Sequence, residues 1–477
     1  MRAKLAPVFV AACMTVSASA VWAASPEKSS PQPDYTALLH YELEPAGTLE
    51  DPDGHLYFGY DGVFDRGGES LTLLSSAGEE LLPGIDDIDY LGGGLYEARL
   101  PLEESNVNTT GLFTTDGQTL IPCEAASIVL PHNRDDGSAR FLGVIYTTEE
   151  TDNEDECIIY FTSDMISLSV GEEDVMYKGY AKIFDLAAGD FVPNVELSSL
   201  SRNGMNDLGD SFVLEHDNIC TMYDADGNVL WETDGMLMDA GYSTVLVSTG
   251  GKDYIVDASG KDSFASDNSI GLINAPMDYY SIYDDESEHP YHMIDSTGNR
   301  ISENTYSIIY DSEGCIYQTK DADDKYIAVS EDGSVLAGNI STLYYSLGGY
   351  GYIEQEDSEL YCAVTPNGLI EDLEGYQPTN LIFNKGTDAI ALNTGEVFAS
   401  DVEAQDLRVL RPALVSAYIT SSSGSHYAVY DFFTGEELLP AEYDDVYAAG
   451  DYLYANKTDS TGKDVWSVYK ICLTAAD

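Results

Sequence analysis

A turn glycine recurs along this chain at positions 78, 117, 189, 227, 260, 298, 333, 368, 395 and 435, and no other feature restricts its fold as strongly. Each closes a short polar turn after an apolar run. Examples are Leu71-Thr72-Leu73-Leu74-Ser75-Ser76-Ala77-Gly78, Tyr254-Ile255-Val256-Asp257-Ala258-Ser259-Gly260 and Tyr427-Ala428-Val429-Tyr430-Asp431-Phe432-Phe433-Thr434-Gly435. Glycine supplies the positive φ that a tight hairpin needs, and the Asp, Ser or Thr ahead of it bonds back to the backbone. Extended runs that alternate apolar and polar residues flank these turns, so the pattern is that of strands rather than helices.

The spacing fixes the size of the unit. The intervals run from 27 to 40 residues and average near 36, but for one of 72, from 117 to 189, which reads as two periods, with Cys157 to Phe161 as the first strand of a unit whose turn has lost its glycine. About 10–11 units follow. Four strands of ~5 residues with short connections fill one period, so each unit is expected to be a four-stranded antiparallel sheet. Such units fan around an axis as a β-propeller-like body, in one large ring or two propellers, or stack as a β-solenoid array. A ring is favoured by the ends: Val465 to Lys470 has the character of a first strand, and pairing it with Leu56 to Tyr60 removes two exposed edges.

The segments after the glycines repeat as well: Glu-Glu-Leu-Leu-Pro after Gly78 and Gly435, and Gln-Thr-Leu-Ile-Pro after Gly117. With the run from Thr110 through Gly111 to Pro122 and that from Gly435 to Val446, this text resembles the bacterial WG-repeat (KWG-type) family, over about Leu71 to Ile471. The Trp-Gly pair that names the family is replaced here by Thr110 or by tyrosines. The resemblance implies an extracytoplasmic repeat scaffold.

The first residues give an address. Arg2 and Lys4 precede a largely apolar run from Leu5 to Ala23 that ends Val21-Trp22-Ala23, as in a secretory signal peptide. Residues 1–23 are therefore read as signal peptide, 24–50 as a Pro/Ser-containing linker and lead-in, and 51–477 as the repeat domain. The product is secreted or extracytoplasmic and bacterial, with no transmembrane segment. Val10-Ala11-Ala12-Cys13 also resembles a lipobox, which makes a lipid anchor through Cys13 the minority alternative. The six remaining cysteines, at 123, 157, 220, 315, 362 and 472, form no close pair and read as buried thiols.

Charge then excludes partners. With 84 acidic and 21 basic residues the chain carries −63, and loss of Arg2 and Lys4 with the signal peptide leaves 19 basic residues and −65. Nucleic acid is excluded, and basic partners are favoured.

No catalytic, cofactor-binding or metal residue is assigned. Asp224-Ala225-Asp226-Gly227-Asn228 imitates a calcium loop, but its glycine falls at position 4 rather than 6, so it reads as hairpin chemistry, with only weak, diffuse Ca2+ binding expected of the acidic surface. His289 and His292 are too isolated to read as a metal pair. The carboxylate pairs Asp86-Asp87, Asp284-Asp285 and Asp444-Asp445 read as turns or solvated faces, and the tyrosine clusters at 279–280, 344–345 and 350–352 as sheet packing. The expected function is an exported, non-catalytic β-repeat scaffold for a protein or polysaccharide partner. The alternatives are a propeller-type extracellular glycoside hydrolase using converging carboxylates, and a lipid-anchored structural protein of the cell surface.

Overall fold

The computed structural model describes residues 37–475 except 52–54, 60–61, 67–70, 102–106, 116, 135–137, 152–158, 162–174, 199, 201–203, 217, 285–288, 311, 313, 322, 357, 359, 401–406, 422–423 and 460. The signal peptide, Cys13 and the Ser25–Asp34 stretch lie outside the described residues, as does Cys157. Among the described residues every named element is a strand, apart from the 3-10 turn Pro378–Asn380. No helix there is long and apolar enough to cross a membrane.

The strands form antiparallel sheets that follow one another along the chain, most of them four-stranded in sequence order. One seven-stranded sheet is two units fused, because Gly368–Gln377 pairs Tyr361–Thr365 through its first half and Ile382–Lys385 through its second. Resolved in this way there are eleven units, here called blades. Their strands span 56–85, 87–125, 127–197, 205–234, 236–266, 270–294, 316–338, 340–373, 374–399, 407–443, and 445–475 joined by 39–50.

Each blade buries its faces against the next. Phe64 and Leu73 of blade 1 pack with Tyr96 and Phe113 of blade 2. Val213 and Met222 of blade 4 pack with Val245 and Val256 of blade 5. Ile316 and Ala328 of blade 7 pack with Ile353 and Val364 of blade 8. The succession returns to its start, since Tyr454 and Trp466 of blade 11 share a cluster with Val63 of blade 1. The chain is thus β-propeller-like, and the contacts close one ring rather than leaving a solenoid with two free ends.

The closure differs in detail from the expectation. The C-terminal strand Asp464–Ala475 pairs not with Leu56–Phe58 but with Leu39–Glu50, in antiparallel register from Leu39↔Ala475 to Glu50↔Val465. It is the third strand of its sheet, and Leu39–Glu50, which the sequence left in a lead-in, is the fourth. Pro45 and a bulge before Gly47 break the alternation that marks other strands. The count of eleven also arises differently. The 117 to 189 interval is one blade carrying an insertion that includes Ile159–Phe161, a strand paired at the edge of Val175–Asp185. Ten blades carry a turn glycine, and in the eleventh the chain ends replace that turn.

The recurrent glycine has two physical reasons. In the turn from Asp224 to Asn228, Gly227 has φ 76°, the Asp224 amide donates to the Asn228 carbonyl at 3.0 Å, and Asp224 Oδ1 accepts from the Asp226 and Asn228 amides at 3.0 and 2.8 Å. That carboxylate is occupied by its own hairpin. The second reason, at six of the ten turn glycines, is close approach: a Cβ there would strike the outermost strand of the preceding blade, whereas Gly189 and Gly368 have nothing within 4 Å, Gly395 has only ordinary contact with Ile370, and Gly333 meets Asn304 of the irregular 299–306 segment. Gly227 meets Pro193, Gly260 meets Trp231 and Leu230, Gly298 meets Phe264, and Gly435 meets Phe398. Gly78 of blade 1 meets Leu49, so the closing strand obeys the same rule. Pro83, Pro122, Pro193 and Pro440 sit on outermost strands, where a missing N–H costs no ladder bond and discourages edge pairing.

The two reasons are separable. Gly260 and Gly462 close matching Asp-x-x-Gly-Lys turns with φ 79° and 83°, but nothing lies within 4 Å of a Cβ on Gly462. Gly462→Ala is expected to cost ~1–2 kcal/mol for the left-handed backbone alone. Gly260→Ala should cost a further ~1–3 kcal/mol for the overlap with Trp231 and the Leu230 backbone. Urea denaturation of the two variants checks the difference.

Candidate functional site

Blade 6 departs from the repeat. Its three strands, Ile270–Asn274, Tyr279–Tyr283 and Tyr291–Ile294, have no regular fourth; instead the segment 299–306 touches the sheet through the isolated bridges Ile294↔Arg300 and Tyr291↔Tyr306. The residues explain this. Ser302-Glu303-Asn304-Thr305 offers no apolar alternation, and Ser302 Oγ takes the Asn304 amide at 3.1 Å, turning the backbone away from a ladder. Asn304 then donates from Nδ2 to the Gly333 carbonyl at 3.1 Å in blade 7.

The irregular segment leaves a cleft of about 390 Å³ between blades 6 and 7. Ile327, Val329 and Val335 give it an apolar wall, and Glu303, Lys320, Asp321 and Tyr306 supply polar groups. Lys320 is already neutralised, since Nζ lies 2.9 Å from Asp324 and 5.0 Å from the Tyr326 ring centroid. Asp321 Oδ1 accepts the Asp323 and Lys325 amides, each at 2.9 Å. The Tyr306 ring is 5% exposed and packs in one cluster with Ile327 and Val329, and its hydroxyl has no hydrogen-bond partner among the described residues. Nothing in the sequence distinguishes Tyr306 from the other 34 tyrosines.

His289 lines this cleft, while His292 lies on the strand Tyr291–Ile294 opposite Ile282. Burial, and then the Arg300 charge, lower the His292 pKa. Among the described residues no three His, Cys, Asp or Glu side chains gather as a metal site. Cys220 and Cys362 are buried thiols, and Cys123, Cys315 and Cys472 are half-buried ones.

Of the acidic pairs singled out in the sequence, three members are spent locally. Asp87 pairs with Arg99 at 2.9 Å, Asp444 accepts the Thr458 amide at 3.0 Å, and Asp445 holds Arg408 at 3.0 Å; Asp285 lies outside the described residues. Three buried carboxylates lie elsewhere and act as ties between blades. Asp207 of blade 4 accepts the Arg140 and Phe141 amides of blade 3. Asp278 accepts the Ser243 amide at 3.1 Å and the Thr244 hydroxyl at 2.6 Å, joining blades 6 and 5. Asp431 accepts the Tyr41 amide of the closing strand at 3.1 Å. Burial raises the pKa of all three, and the amides and hydroxyls they accept oppose it. Tyrosines 280, 350 and 352 are buried, as sheet packing requires, whereas Tyr344 is exposed and stacks on Tyr352.

No family model matches the chain, and no curated protein matches it. Among solved structures, the chain is similar to a crystal structure of the eukaryotic initiation factor at 10% identity and a TM-score of 0.37, covering 84% of this chain and 96% of that one. It is similar to Kluyvelomyces marxianus Hsv2 at 7% identity and TM-score 0.28, covering 71% and 94%. A third is the WD40 β-propeller domain of Doa1, at 10% and 0.23, covering 69% and 96%.

One carboxylate pair has unusual electrostatics. Glu97 on Leu95–Arg99 faces Asp89 directly across the ladder of blade 2. Burial, reinforced by the Asp89 charge, pushes the Glu97 carboxyl up to about 7. A carboxyl whose folded pKa lies above its unfolded one adds no penalty below about pH 4.5, and its ionisation costs stability as pH rises toward 7. Glu97→Gln is therefore expected to be neutral near pH 4.5 and to exceed the parent by about 2–3 kcal/mol at pH 8. Denaturation at both pH values checks this.

Proposed function

We propose that this chain is an exported, non-catalytic β-repeat scaffold that holds a basic partner, either a protein or an extracellular polymer. The observation that carries the reading is where the positive charge goes. Several of the few cations are engaged at home: Arg140 with Asp185, Lys252 with Asp267, Lys320 with Asp324, Arg408 with Asp445 and Lys457 with Glu442. Four acidic residues to each basic one leave a surplus that no internal pairing can absorb. A closed, rigid body with such a field attracts basic surfaces and holds them in register better than it holds neutral ones. Export rests on residues 1–23, and the WG-repeat resemblance agrees with it.

The glycoside hydrolase reading keeps one foothold, because Asp89 and Glu97 are adjacent carboxylates, and burial together with the Asp89 charge pushes Glu97 up to about 7. Its test is simple. A panel of glycosides should show no turnover that Asp89→Asn or Glu97→Gln abolishes; a loss of real activity in a folded variant assigns catalysis to that pair.

For the scaffold reading, binding of a basic probe protein such as lysozyme to the mature chain is expected to weaken ~10-fold or more as salt rises from low to physiological strength. Biosensor titrations measure it. Salt-insensitive binding, or none, contradicts the proposal.

A further inference from the structure

The cleft between blades 6 and 7 has features that general acidity does not explain. It combines an apolar wall, two carboxylates, a lysine whose charge is already taken by Asp324, and a buried phenol hydroxyl that bonds to nothing among the described residues. A buried hydroxyl without a partner is costly, and the fold gains nothing from keeping it over a phenylalanine. Resting on the scaffold reading above, we propose that this cleft seats one arginine or lysine side chain of the basic partner. The methylene stem lies along Ile327, Val329 and Val335, and the cationic head meets Glu303, the outer oxygen of Asp321 and the Tyr306 hydroxyl.

The chemistry of each part selects that occupant. Arginine and lysine are the side chains that carry a long apolar stem and a charged, donor-only head. A donor-only head suits two carboxylates and a phenol oxygen, and leaves no acceptor to clash with them. With Lys320 neutralised by Asp324, Glu303 and Asp321 give the cleft net negative charge, which repels an anion and leaves a neutral sugar without counter-charge. The volume of about 390 Å³ holds one such side chain with its bridging waters. Its origin in the irregular 299–306 segment also fits: the segment stands where most blades have a regular fourth strand.

The test uses the full mature chain and three probes: N-acetyl-arginine amide, N-acetyl-lysine amide and the neutral disaccharide cellobiose, followed by ligand-observed NMR at low salt. The arginine probe is expected to bind at one site. Glu303→Gln and Tyr306→Phe should each weaken it by about 3- to 30-fold, while Asp262→Asn, an exposed acid outside the cleft, leaves it unchanged. Tyr306→Phe should also melt no lower than the parent, since the hydroxyl it removes has no partner, so weaker binding cannot be attributed to unfolding. Arginine binding that both variants leave intact overturns the inference, as does saturation of the cleft by cellobiose. If lysozyme still binds in a salt-dependent way but the arginine probe does not, this inference fails and the scaffold reading stands. If neither binds, both fail.

Discussion

The constraint on which the rest of this fold depends is the left-handed backbone of one turn glycine in each of ten blades, which in most of them also seats that glycine against the blade before it. At Gly78, Gly117, Gly227, Gly260, Gly298 and Gly435 two constraints meet at one residue: the hairpin demands positive φ, and the neighbouring strand leaves no room for a Cβ. The positive φ recurs at all ten turn glycines from Gly78 to Gly435, and where the close contact accompanies it, as at Gly78 on Leu49 and Gly435 on Phe398, it limits how closely successive blades approach. The apolar clusters between blades supply most of the burial, but side chains of varied shape fill them; the positive-φ glycine turn is what remains constant. This is a division of labour between energy and geometry.

That constancy is why the repeat was legible in the sequence. Period, strand content and antiparallel units all follow from the turn text, and the tyrosines at 280, 350 and 352 pack where alternation places them. Two features were not legible, for identifiable reasons. The closing strand Leu39–Glu50 carries Pro45, a bulge and exposed acids, and its order comes from pairing with a strand more than 400 residues away. The insertion in blade 3 lengthened one interval to the size of two, and spacing alone cannot distinguish an added unit from an enlarged one.

The functional surface was less legible than the fold. Among 84 acidic residues, nothing local marks Asp207, Asp278 and Asp431 as buried ties or Glu97 as the group opposite Asp89. Their roles come from amides and carboxylates supplied by other strands, often from other blades. The cleft between blades 6 and 7 left a faint trace, since Ser302-Glu303-Asn304-Thr305 interrupts the alternation where a fourth strand was due. Reading that interruption as a site needs the partner wall from blade 7, which only the fold brings alongside. Net charge, in contrast, is visible at once and sets the class of partner without locating it.

The central claim is a single ring closed by the two ends of the chain. It is tested most directly by placing cysteines at Thr48 and Ser467, which face each other in the closing ladder, and mapping the disulfides after mild oxidation. The account predicts a 48–467 cross-link in the native protein and a higher melting temperature when it is formed. A Ser467→Cys thiol that stays free, or that links instead to a cysteine placed at Tyr57, would contradict it.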